Sequence, residues 1–186
     1  MKHKFLKSVA GLAMFASAFA FAQTPYPTKP ITMIVPFAAG GPTDTVARLV
    51  AQSMGNTLKQ TVLVENVGGA GGTIGAARVA KSAPDGYTLF LHHIGQSTAP
   101  SLYRKLSYNA VDDFEPIGLI TDVPMTFIAR GDFPAKDLKE LLAYVKANKS
   151  KVTYANAGVG SASHLCGMLF MTCLLYTSPS PRDKRQ

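Results

Sequence analysis

The sequence predicts an α/β fold of parallel strands joined by helices, and three observations carry the prediction. Residues 31–37 form an apolar, β-branched run with no charge, followed by a turn of small residues and an amphipathic helical segment. A second such run lies at 61–67 and a third at 87–92, each reached through a helical segment. Strand and helix patterns that alternate in this way build βαβ units rather than hairpins.

The elements follow in order. Residues 24–30 hold three prolines and read as an extended lead-in to the first strand. After that strand, residues 38–41 make a turn, and Val46, Leu49, Val50, Met54 and Leu58 fall on one face of a helix. Thr43 or Asp44 is the expected N-cap, because either side chain can accept a first-turn amide. The free amides and the positive helix end would then form a receptor for a carboxylate or phosphate. Gly40 and Gly41 place no Cβ in the way of such a group. On the residues alone, a purely local role for these glycines in a tight βα turn stands beside the anion reading.

The Gly-rich stretch 68–75 follows the second strand and leads into a helical segment at 76–81. A dinucleotide fingerprint would need Gly at position 74, which is Ile74, and no Walker A pattern is present. Close helix–sheet packing is the favoured reading of this run. Pro84-Asp85-Gly86 turns the chain into the third strand. His92 and His93, as neighbours on a strand, are expected to face opposite ways and not to share a metal ion. Residues 94–101 are expected to be a polar loop at the carboxyl end of that strand, where ligand crevices of open α/β sheets lie.

Residues 114–121 and 125–130 read as further strands, with a change of lobe near Asp122. Residues 135–148 read as an amphipathic helix with Leu138, Leu141, Leu142 and Val145 on one face. Residues 151–157 read as a strand, and Gly158-Val159-Gly160-Ser161-Ala162-Ser163 opens a helix at His164. This second strand, Gly-rich turn and helix could also meet an anion.

Composition narrows the function. The chain has 186 residues, 47% of them hydrophobic, enough for a packed core. Of the net charge of +8, Lys2, Lys4 and Lys7 carry three and the C-terminal end two more, leaving +3 spread without a basic stripe. A nucleic-acid surface is therefore not expected. Three lysines, a short apolar run and Ala20-Phe21-Ala22 read as a secretory signal peptide over residues 1–22, with the mature chain beginning at Gln23 and exported. Cys166 and Cys173, on one helix, would lie about 10.5 Å apart along its axis, too far for a disulfide. Neither fits a metal site, since no CxxC is present. A nucleophile elbow fails at Ser161 and Ser163, and His164 has no evident nucleophile and acid partners. An exported α/β hydrolase or nucleotide-dependent enzyme is kept as the alternative class, although none of its motifs is complete.

Four stretches, YPTKPITMIVPFAAGGPTDTVAR, VENVGGAGGTIGAARVAKSAPDGYTLF, LYRKLSYNAVDDFEPIGLI and VTYANAGVGSASHLCGMLF, cover nearly all of residues 26–170. Together they resemble the Bug/TctC family of extracytoplasmic solute-binding proteins, associated with tripartite tricarboxylate transporters. The resemblance implies a two-lobed periplasmic-binding-protein fold of the Venus flytrap kind. It would comprise a first lobe at 23–122, a partial second lobe at 123–172 and a non-native, disordered tail at 173–186. An incomplete second lobe would leave apolar surface exposed. The resemblance also implies a monomeric, periplasmic, non-enzymatic protein without cofactor or metal. It would deliver a small carboxylate to membrane transporter subunits, or present it to a sensor. The carboxylate could be a di- or tricarboxylate, an amino acid or an aromatic acid. Carried over by motif, the first loop would grip it through Phe37, Ala38, Ala39, Gly40, Gly41, Thr43 and Asp44. The second loop would use Ser161, Ala162, Ser163 and His164, while Ile94, Gln96 and Ser97 would face the variable end of the ligand.

Overall fold

A computed structural model describes residues 25–174. The expected signal peptide and nearly all of the expected tail lie outside the described residues. The elements are β1 (Ile31–Val35), α1 (Pro42–Leu58), β2 (Val62–Asn66), a 3-10 turn (Ala70–Gly72), α2 (Thr73–Ala80), β3 (Thr88–Phe90), α3 (Gly95–Leu102), α4 (Leu138–Ala147) and α5 (Ala162–Cys173).

The three strands form one parallel sheet in the order β2-β1-β3. Ile31 pairs with Val62 through to Val35 with Asn66 on one side, and Thr32 pairs with Thr88 through to Ile34 with Phe90 on the other. As the central strand, β1 is the most apolar and the most buried, with Ile31, Met33, Ile34 and Val35 all in the core. A strand covered on both faces loses the apolar–polar alternation of a half-exposed one, which is why 31–37 reads as a continuous apolar run.

Helix α1 covers one face of the sheet. On its inner face Ala47, with Val50 and Met54 beside it, packs against Met33 and Val35, and Ala51 is buried one turn further on. Small residues at 47 and 51 let the helix lie close to β1. Leu49, expected on this face, is instead 63% exposed. Helix α2 packs against β1 and β3. It starts at Thr73, three residues earlier than expected. A Cβ on Gly75 would lie 2.9 Å from both the Pro36 Cβ and the Val67 carbonyl oxygen, so the close-packing reading of the Gly-rich run holds there.

Beyond β3 the structure departs from expectation. Residues 95–102 are a helix rather than a loop, because the Ser97 and Thr98 hydroxyls bond back to the Ile94 carbonyl and close its first turn. Residues 114–121, 125–130 and 151–157 form no strands. Strand formation depends on a partner edge, and none lies beside them among the described residues. Their apolar side chains stand open, with Ile117 at 86% and Ile128 at 93% exposure, as expected of exposed apolar surface in this part of the chain.

Helix α4 begins at Leu138, after a reciprocal cap: the Asp137 carboxylate accepts the Glu140 amide at 2.8 Å, and Glu140 accepts the Lys136 amide at 2.7 Å. Helix α5 begins at Ala162, with Ser161 as N-cap accepting the His164 amide at 3.2 Å. Cys166 and Cys173 both lie on α5 as free thiols. No helix among the described residues is long and apolar enough to cross a membrane.

Candidate functional site

All three strands end at the same edge of the sheet, so the loops after β1, β2 and β3 open together. In a parallel sheet with the order 2-1-3, chain connections leave β1 on opposite sides, and a crevice forms beyond the carboxyl ends there. The chain has a cleft of ≈ 2170 Å³ at this edge. Its walls come from the loop after β1, the 68–72 turn, residues 90–97, residues 118–125 and the stretch from Tyr154 into α5.

The loop after β1 is shaped from beneath by Asp44. Neither Thr43 nor Asp44 is the N-cap of α1; that position is Gly41, with Pro42 as the first helical residue. Pro42 has no amide to leave unsatisfied, which suits it to that place. Asp44, one turn in and 2% exposed, reaches back instead to accept the Gly40 amide at 2.8 Å. Its carboxylate also accepts from Arg48 Nε at 2.9 Å and from Asn66 Nδ2 at 2.9 Å, and the same Asn66 nitrogen donates to the Phe37 carbonyl at 3.0 Å. The Arg48 bond first, then those from Gly40 and Asn66, hold the Asp44 pKa down at about 2. The Gly40 amide is thus spent inside the protein, while the amides of Thr43 and Asp44 keep the unpaired status of any first helical turn.

The second Gly-rich loop meets the 70–72 turn and α3 directly. The Tyr103 hydroxyl lies 2.7 Å from both the Ala70 and the Val159 carbonyl oxygens. A Cβ on Gly95 would come within 2.8 Å of the Gly160 carbonyl. The backbone of the 158–160 loop therefore packs closely against Gly71 and against Gly95 at the start of α3.

His92 and His93 do not face opposite ways as expected, because β3 ends at Phe90 before them. Their rings meet edge to face at 4.9 Å, and His93 also stacks on Phe37 at 4.4 Å. His92 Nδ1 accepts the His93 amide at 2.7 Å and His93 Nδ1 accepts the Gly95 amide at 3.0 Å. Burial first, then the neighbouring His93, pushes the His92 pKa down to about 3; burial lowers that of His93 as well. On the other wall, His164 Nδ1 accepts the Gly160 amide at 3.2 Å. Among the described residues no group of three or more His, Cys, Asp or Glu could hold a metal ion.

Of the residues expected from the sequence, Phe37, Ala38, Gly41, Thr43, Ile94, Gln96, Ser97, Ser161, Ala162, Ser163 and His164 line the cleft. Ala39, Gly40 and Asp44 do not, and Asp44 acts from below the loop. The reading from sequence missed His92, His93 and Tyr103, all of which line it. The phenol pairs with carbonyls far along the chain, a contact that no local pattern announces.

The family model described as the tripartite tricarboxylate transporter family receptor, TctC, matches residues 46–174. The chain belongs to this family. TctC proteins are receptors rather than enzymes, so the exported-enzyme alternative is set aside. An Agrobacterium vitis UPF0065 protein, encoded in the TAR-I ttuE-ttuC' intergenic region, is 56% identical over 153 residues, 82% of this chain and 44% of its own length. A solved structure of the periplasmic binding protein BugD matches at 58% identity with a TM-score of 0.80, covering 83% of this chain and 52% of its own. MatC from Rhodopseudomonas palustris, solved with bound malate, matches at 44% identity with a TM-score of 0.77, over 83% of this chain and 53% of its own. This TctC chain therefore spans about half the length of the relatives it matches. The fold is that of these periplasmic binding proteins over the shared part.

Proposed function

We propose that this TctC chain is a periplasmic receptor that captures a small carboxylate in the cleft and delivers it to a tripartite transporter. The observation that carries the reading is the convergence of two loop–helix units, at Gly41–Pro42 and Ser161–Ala162, on one cleft that no Lys or Arg lines among the described residues. An anion there would be met by backbone amides at two positive helix ends. In this reading Phe37, Ala38, Gly41 and Thr43 of the first loop grip the carboxylate, with Ala39, Gly40 and Asp44 shaping that loop. Ser161, Ala162, Ser163 and His164 grip from the opposite wall, and Ile94, Gln96 and Ser97 meet the rest of the ligand. Residues 1–22 direct export, residues up to 122 form the first lobe and residues 123–172 belong to the second. MatC, with malate bound in a related fold, supports a carboxylate as the ligand.

The test is a thermal-shift screen of the exported chain against di- and tricarboxylates, amino acids, aromatic acids and nucleotides. A true ligand at a hundredfold excess over its Kd adds about 2.7 kcal/mol of stability and raises Tm accordingly. A rise with one class of carboxylate is expected. No rise with any carboxylate, or a rise with nucleotides alone, overturns the reading.

A further inference from the structure

All three histidines among the described residues line the cleft, and all three are tied in the same way. Each Nδ1 accepts a backbone amide: His93 to His92 at 2.7 Å, Gly95 to His93 at 3.0 Å and Gly160 to His164 at 3.2 Å. An imidazole whose Nδ1 accepts must, when neutral, carry its proton on Nε2. The remaining ring nitrogen of each is therefore a donor only. Of the buried side-chain polar atoms among the described residues, only Gln96 Oε1 lacks a hydrogen-bond partner, so none of the three Nε2 atoms is both sealed from solvent and unpaired. Phe37, Phe90, Gly72 and Gly95 surround the His92–His93 pair, and none of them brings a charge. The one acidic residue of the cleft lining, Asp122, sits in the exposed 117–128 segment.

We propose that His92, His93 and His164 are specificity-determining residues of the cleft, acting together as fixed Nε2–H donors that favour a ligand with a second hydrogen-bond-accepting acid group and disfavour one with an ammonium in its place. This rests on the carboxylate reading above and sharpens it. Backbone amides at the helix ends read one carboxylate and are blind to the rest of the molecule. The imidazoles add side-chain donors where no lysine or arginine stands, and a donor-only set has nothing to offer an ammonium. Because the backbone amides already occupy Nδ1, no tautomer shift can turn these rings into acceptors at Nε2.

Three probes that share one carboxylate and a four-carbon chain test this: succinate, butyrate and 4-aminobutyrate, titrated calorimetrically into the full chain near neutral pH. Succinate should bind about tenfold or more tighter than butyrate, the scale of one hydrogen bond to a charged group. 4-Aminobutyrate should bind no tighter than butyrate. His164→Leu and His93→Leu should each bring succinate toward butyrate, while His164→Gln, which keeps an N–H, should restore part of the preference. Long-range proton–nitrogen NMR of the unsubstituted chain should show the Nε2–H tautomer at all three rings, a readout independent of how the variants fold. Equal binding of succinate and butyrate overturns the histidine inference and leaves the carboxylate reading standing. Nδ1–H tautomers, or a preference for 4-aminobutyrate, overturn it as well. If none of the three probes binds and no other carboxylate does, both fall together.

Discussion

The carbonyl oxygen of Val159 occupies the space that a Cβ on Gly71 would need. Gly71 also has φ +64°, a conformation that costs side-chain-bearing residues energy. Gly71→Ala should therefore push the 158–160 loop away from the 68–72 turn and open that end of the cleft. We expect a loss of about 1–3 kcal/mol in denaturant unfolding, the range for strain at a special backbone position, together with weaker ligand binding. An unchanged midpoint and Kd would show that the two loops do not hold each other.

Tyr103 spans the same junction, with its hydroxyl 2.7 Å from the Ala70 and Val159 carbonyls. Tyr103→Phe removes the hydroxyl and keeps the ring. The expected cost is about 1 kcal/mol, a typical net hydrogen bond, and smaller than that of Gly71→Ala. A double mutant should lose less than the sum of the two, because both act on one contact.

Asp44 is a second point where a loop is set by one side chain. Asp44→Ala leaves the Gly40 amide and the Arg48 Nε without their acceptor. It should lower Tm more than Arg48→Ala does, and it should weaken ligand binding although Asp44 does not line the cleft. Loss of stability without loss of binding would mean that the loop keeps its shape unaided.

Acid should act first through His92 and His93. His92 titrates near 6.5 when unfolded and at about 3 when folded. The unfolded chain thus binds more protons between these values, and stability present above pH 6.5 is lost as pH falls toward 3. The slope for one such group is about 1.4 kcal/mol per pH unit. The carboxylate of Asp44, with its lowered pKa, keeps its contribution above the ordinary carboxylate range and loses it only as pH falls through about 2. Urea midpoints measured from pH 7 to pH 4.5 should fall steadily, and His92→Gln should flatten the curve. A flat curve in the unsubstituted chain would rule out the burial of a neutral His92.

The centre of β1 and the outer face of α1 give a further check. Ile34→Ala, in the buried centre of β1, should cost about 2–5 kcal/mol. Leu49→Ala should stay within about 0.5 kcal/mol, since that side chain is 63% exposed. A large effect at Leu49 would restore the helix face expected from its spacing.

What could be read from the sequence was whatever rests on local pattern. The strand–turn–helix unit at 31–58 and the turn–helix unit at 158–173 show in apolar runs, small-residue turns and helical spacing. The fine phase of α1 does not, because two alanines, weak signals in any apolar pattern, carry the contact that the larger Leu49 was expected to make. Residues 95–102 hide a helix behind Gly, Ser, Thr and Pro, since hydroxyl bonds to Ile94 start it rather than apolar spacing. The strands expected at 114–130 and 151–157 failed for the opposite reason. Their residues favour β structure, but a strand is a property of two neighbours, and the sequence displays one at a time. The histidine pair was misread through a boundary: with β3 ending at Phe90, the alternation used to separate the rings no longer applies.

The sheet register has a consequence for engineering. Every wall of the cleft that belongs to the β1–β3 unit is a segment inserted between fixed strand ends, and the pairings Val35 with Asn66 and Ile34 with Phe90 stay in place whatever those segments contain. Residues 91–94 form a cassette of this kind, bounded by the end of β3 at Phe90 and by Gly95, the buried first residue of α3. Exchanging that cassette between family members should transplant ligand preference while leaving the scaffold's unfolding midpoint nearly untouched, making the receptor a frame into which recognition is spliced.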